Sequence, residues 1–125
     1  MNACDPVTKS FIVNDSGQDL QIIIQLDKNI IKESYRIPDY SHIFNEFAEE
    51  PNVHLADIDS IKLTGRYILR PGAKCQVDFG IGKEPNFNFN ELTILNKDTV
   101  VYTGESMIKE LFVNTTGFTY ELRIK

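Results

Sequence analysis

The last eight residues, Phe118-Thr119-Tyr120-Glu121-Leu122-Arg123-Ile124-Lys125, place an apolar side chain at every second position and a polar one between. A period of two is the repeat of a strand with one face on a core and the other in water. It predicts Phe118, Tyr120, Leu122 and Ile124 inside, and Thr119, Glu121, Arg123 and Lys125 outside. Upstream, Leu20, Ile22, Ile24 and Leu26 alternate with Gln21 and Gln25, with Ile23 as the outward exception. Ile61, Leu63, Tyr67 and Leu69 oppose Lys62, Thr64, Arg66 and Arg70. Cys75, Val77, Phe79 and Ile81 oppose Gln76 and Asp78. Shorter strands are expected at residues 11–13, 91–95 and 99–103, and a more weakly patterned one around Ile31, Tyr35 and Ile37.

The joints between these runs carry turn chemistry. Asn14-Asp15-Ser16-Gly17 predicts a hairpin between the first two strands. Pro71-Gly72 predicts a second hairpin, and Asn96-Lys97-Asp98 a third. Residues 41–49 and 105–113 break the period. Ile43, Phe44, Phe47 and Ala48 share one helical face, with Asp39 or Ser41 as N-cap and Pro51 as stop, and Met107, Ile108, Leu111 and Phe112 share another. Helices this short are marginal alone and need an apolar stripe packed on a sheet.

Composition points the same way. The chain has 15 Ile, 7 Val and 8 Thr against 4 Ala. β-branched residues favour the pleated sheet and Ala the helix. With 125 residues and 42% hydrophobic content, one core can be buried without staples. The expectation is one mostly-β domain over residues 10–125. It is an antiparallel sandwich or partly open barrel of about seven or eight strands with two short helices.

Thirteen Lys plus Arg against eighteen Asp plus Glu give a net charge of −5. That balance argues against nucleic acid as a partner, since a phosphate backbone is bound through displaced counterions. No apolar run is long enough to cross a membrane as a helix.

Residues 1–9 read as a tether. Ala3-Cys4 followed by Asp5-Pro6 resembles the end of a bacterial lipoprotein signal peptide, where a small residue precedes the cysteine that takes the lipid. The resemblance covers about four residues, and no basic or apolar leader precedes them. It implies Cys4 as the lipidation site, a membrane contact only through that anchor, and a cell-envelope location. The alternative is a cytoplasmic protein with an ordinary N-terminus. Cys75 shares a face with Val77 and Phe79 and reads as a small buried hydrophobe.

Chemical motifs do not assemble. Ser106 and Lys109 match the S-x-x-K pattern of penicillin-recognising enzymes without its companion elements. Gly80-Ile81-Gly82-Lys83 lacks the rest of a phosphate loop. His42 and His54 could serve as acid–base groups, His54 with Asp57, but no nucleophile accompanies them. Asp57-Ile58-Asp59 lacks the glycine turn of a calcium loop, and the cysteine spacing excludes a zinc site. Asn14 and Asn114 head formal glycosylation sequons that double as turns. The expectation is therefore no enzyme, no metal and no cofactor.

Charge layout is the most informative feature for function. Between Ile37 and Ile61 there is no Lys or Arg, while Asp39, Glu46, Glu49, Glu50, Asp57 and Asp59 are all acidic. Glu46, Glu49, Glu50, Asp57 and Asp59 are the candidate partner-binding residues, suited to a basic protein. The functional expectation is an exported, non-catalytic β-sandwich lipoprotein that binds a protein or ligand through its loops. A soluble acidic inhibitor or immunity-type protein that neutralises a basic enzyme is the alternative.

Overall fold

A computed structural model of the chain describes residues 7–29, 40–82 and 85–125. In chain order the elements are β1 (Val7–Asn14), β2 (Leu20–Leu26), α1 (Tyr40–Glu46), β3 (Val53–Asp59), β4 (Thr64–Leu69) and β5 (Lys74–Ile81). They continue with β6 (Phe89–Leu95), β7 (Thr99–Thr103), α2 (Glu105–Leu111), β8 (Val113–Thr116) and β9 (Thr119–Ile124). The expected strand around Ile31, Tyr35 and Ile37 lies outside the described residues, as do Asp39 and the side chains of Phe79 and Ile81.

Among the described residues the strands form two sheets, β5-β1-β9-β8 and β3-β4-β2-β6-β7, with no closed barrel. This is the expected mostly-β sandwich. Its core is built from the alternating faces: Ile22, Ile24, Leu63, Leu69 and Val77 are buried. Tyr120 and Leu122 are half-buried against the same cluster. Among the described residues all pairings are antiparallel except β1 with β9, which runs parallel.

Two of the three expected hairpins are corners instead. β1 and β2 lie in different sheets, and so do β4 and β5. The reason is visible at Asn14, which is fully buried. Its Nδ2 donates to Gln18 O at 2.6 Å and to Leu69 O at 2.8 Å, while its Oδ1 accepts from Ser16 N and Oγ. Gly72 N donates to Asn14 O at 2.8 Å. The two turn segments are thus tied to each other and carry the chain from one sheet to the other side by side. The Asn96-Lys97-Asp98 turn does join a hairpin, β6 with β7.

Bulges and turns reset the alternation in several places, among them β6, where Asn90 is an extra residue opposite the Gln25–Leu26 step of β2. Between Leu55 and Asp57 the β3–β4 register shifts, leaving Ala56 as an extra residue. Val53 and Leu55 face the core before it. Without the extra residue Asp57 and Asp59 would follow them inward; with it, Ile58 packs against the core and Asp57 stands across from Arg66. That change of phase is why β3 escapes a period-two reading. In the 60–63 turn Leu63 adopts φ 56° and is buried, whereas Ile61 is 86% exposed rather than inward as expected. Phe118, also expected inside, sits in the β8–β9 turn and is 41% exposed.

A further reset is in β5, where Ser10 pairs with Asp78 but Phe11 pairs with Gln76. Asp78, expected outside, is turned inward beside the fully buried Ser10. On β9, Glu121 is buried although it lies on the outer face, because Lys74 Nζ at 3.4 Å and Arg123 at 3.0 Å lie over it.

α1 docks through Ile43, Phe44 and Phe47, all buried as expected. The close approach is made possible by Gly65, since a Cβ there would lie 2.6 Å from the Phe44 ring. Tyr67 Oη donates to Phe44 O at 2.7 Å, and Cys75 Sγ donates to Phe47 O at 3.3 Å. α1 therefore touches both sheets, through β4 on one side and β5 on the other. α2 packs on β6 and β7 with Ile108 inward, and Phe112 beyond it stacks on Phe87 at 4.9 Å.

Candidate functional site

The acidic segment becomes one structural unit, α1 followed by β3, and β3 is the outer strand of its sheet. Its five candidate carboxylates do not play one role. Asp59 Oδ1 accepts from Ile61 N and Lys62 N, both at 3.0 Å, closing the β3–β4 turn. Those bonds, Lys62 N–H foremost, hold its carboxyl below the usual carboxylate range. Glu50 is half-buried, and its Oε2 accepts Lys74 N at 3.1 Å, pinning the start of β5. These two carboxylates serve the fold, so Glu50 is not in open water as the rest of the run suggested.

Glu46, Glu49 and Asp57 remain exposed. Glu46 ends α1 and meets His42 Nε2 at 2.9 Å one turn earlier. Asp57 sits across the ladder from Arg66 and His54 across from Ile68, so the extra residue at the bulge sets both on the exposed outer face of β3. The sequence separates acid from base along the chain, but the β3–β4 pairing brings them back together at Asp57.

Other groups singled out in the sequence are likewise not assembled. Lys109 Nζ meets Glu105 Oε1 at 3.3 Å, and Ser106 is exposed. Among the described residues no three His, Cys, Asp or Glu side chains converge in a way that could hold a metal ion. Among the same residues every buried side-chain nitrogen or oxygen has a hydrogen-bond partner. Cys4 lies outside the described residues. Comparison with protein-family models, with curated proteins and with solved structures gives no match.

Asp78 is one of the buried polar groups that sequence reasoning missed. Its Oδ2 accepts Asn86 N at 3.2 Å and Ser10 Oγ at 3.4 Å, tying the segment before β6 to the first sheet. Next to it, Thr8 Oγ1 donates to Gly82 O. Burial raises the Asp78 carboxyl above its usual range, and the two hydrogen bonds and nearby Lys109 offset this only in part. A raised native pKa means the folded chain holds the proton more tightly than the unfolded one. The stabilisation is complete below the unfolded value, near pH ~4, and is lost as pH rises through the native one. Asp78→Asn keeps an acceptor for Asn86 N–H and removes the buried charge. It is expected to unfold at higher denaturant than the parent at neutral pH, with the gap closing on acidification.

Burial also pushes the Cys75 thiol well above its ordinary range, with the Glu50 carboxylate adding to the effect. The thiol is fully buried. A thiol reagent is expected to leave Cys75 unlabelled in the native protein and to label it fully in denaturant, as followed by mass spectrometry.

Proposed function

We propose that this domain is a non-catalytic binding module of the cell envelope that docks a basic protein partner along its α1–β3 edge. The observation that carries the reading is the division of labour among the carboxylates. Glu50 and Asp59 are used to build the edge, while Glu46, Glu49 and Asp57 stand exposed on it. Exposed charges of one sign on a rigid edge raise association rate and select partners of opposite charge more than they add affinity. The Ala3-Cys4 pair ahead of β1 supports lipid attachment as the means of location.

The test is reversal of two exposed carboxylates, Glu46, which pairs with His42 one turn earlier on the same helix, and Glu49. Glu46→Lys together with Glu49→Lys is expected to leave the thermal melt unchanged and to slow association with the partner recovered from the native host. The difference should fade as salt rises past the point where the Debye length is about 8 Å. Equal association of the reversed and parent proteins at low salt would remove the docking role. Location is tested separately, by mass spectrometry of the protein from its host. A lipid adduct on Cys4 is expected. An unmodified Cys4 with charge-dependent binding intact would instead favour the soluble acidic inhibitor.

A further inference from the structure

Sheet edges are hazards that folded proteins guard with charge, bulges or short length. Among the described residues three of the four sheet edges are guarded. β3 carries Asp57, Asp59 and a bulge, β5 carries Lys74, Asp78 and a register shift, and β8 has four residues with a shift of its own. β7 has none of these devices. Thr99-Val100-Val101-Tyr102-Thr103 is uncharged and pairs with β6 without a shift, and Val100 and Val101 are 42% and 50% exposed.

The hydrogen bonds at its two ends set the phase of this edge. Gly104 N donates to Asn90 O at 2.8 Å and Asn96 N to Asp98 O at 3.1 Å. In an antiparallel ladder the amide direction alternates. Even-numbered residues of β7 therefore turn to β6, while Thr99, Val101 and Thr103 present N–H and C=O away from it.

We infer that β7 pairs antiparallel with β7 of a second copy, about a two-fold axis at Val101. In that register Val101 faces Val101, and Thr99 faces Thr103 of the second copy. These are the residues whose amides point outward, and about six hydrogen bonds form. It is the register that uses the whole strand. Beyond the strand ends the same axis brings Lys97, in the β6–β7 turn of one copy, toward Glu105 at the start of α2 of the other, where Glu105 also meets its own Lys109. The edge is thus complementary to itself in charge as well as in hydrogen bonding. The pairing is isologous and closes, because the remaining edges are guarded. It joins the two five-stranded sheets into one and leaves the α1–β3 edges at its far ends, so a partner could be engaged twice.

Sedimentation velocity over a concentration series reaching the millimolar range tests this. The parent is expected to show a monomer–dimer equilibrium. Val101→Pro removes an N–H that the β6 ladder does not use. It is expected to weaken the dimer at least tenfold without moving the thermal melt. Should that variant unfold, Val101→Lys puts like charges on the axis at an exposed position and is expected to weaken the dimer equally. Lys97→Glu is expected to weaken it, and adding Glu105→Lys to restore it. A parent that stays monomeric throughout would overturn the inference. So would a dimer that ignores both Val101 variants, because it would form elsewhere.

Discussion

Phe44→Ala is expected to cost about 3–5 kcal/mol in urea unfolding, as a drop in midpoint with little change in slope. The ring is fully buried where α1 meets the sandwich, lying on Gly65 and beside Tyr67. Removing it deletes apolar burial and opens a cavity between two elements that cannot collapse, since Tyr67 is held by its bond to Phe44 O. The same contact makes a second, coupled result. Gly65→Ala in the parent places a methyl 2.6 Å from the Phe44 ring and should cost about 1–3 kcal/mol through overpacking. In the Phe44→Ala background that methyl has room, so the two costs should not add.

Asn14→Ala is expected to cost about 2–4 kcal/mol, from a buried carbonyl left without a donor and from the lost ties of the corner. Asn14 is fully buried and bonds Leu69 O, Gln18 O and Ser16 at once. No smaller side chain reaches all three. Asn14→Asp, which keeps the acceptor and loses both donors, should be destabilising as well. If instead the alanine variant unfolds at the parent's midpoint, the tie between the two sheet-crossing turns is not what holds the sheets in place.

Strand positions were legible because local burial leaves a periodic trace. The alternation in β2, β4 and the second half of β6 survives from sequence to structure, with Leu20, Ile22, Ile24, Tyr67, Leu69, Leu92 and Ile94 buried, while Asn90 interrupts the first half of β6. The helical faces of Ile43, Phe44 and Phe47, and of Ile108 and Phe112, were readable for the same reason, although Met107, expected with the latter pair, is 53% exposed. β3 and the inward turn of Asp78 were not. A bulge adds one residue to one strand, and that residue is defined by a partner far along the chain. Asn14-Asp15-Ser16-Gly17 shows the same limit in another form. Four turn formers announce that the chain reverses. Whether it returns to its own sheet or crosses to the other depends on Leu69 and Gly72, more than fifty residues away.

The acidic run illustrates the division for the candidate site. Composition alone shows that residues 38–60 hold six carboxylates and no Lys or Arg, and physics makes that a charged surface. Which of them are free is a tertiary matter. Asp59 is claimed by the turn it caps and Glu50 by the backbone of β5, while Asp57 stays exposed at its place across from Arg66. Sequence by itself determined that this is a mostly-β domain with an acidic stretch, because burial periodicity and net charge are local sums. Sheet order, the crossing corners and the unguarded β7 edge were decided only in the tertiary structure, because each depends on pairing between residues that the linear order keeps apart.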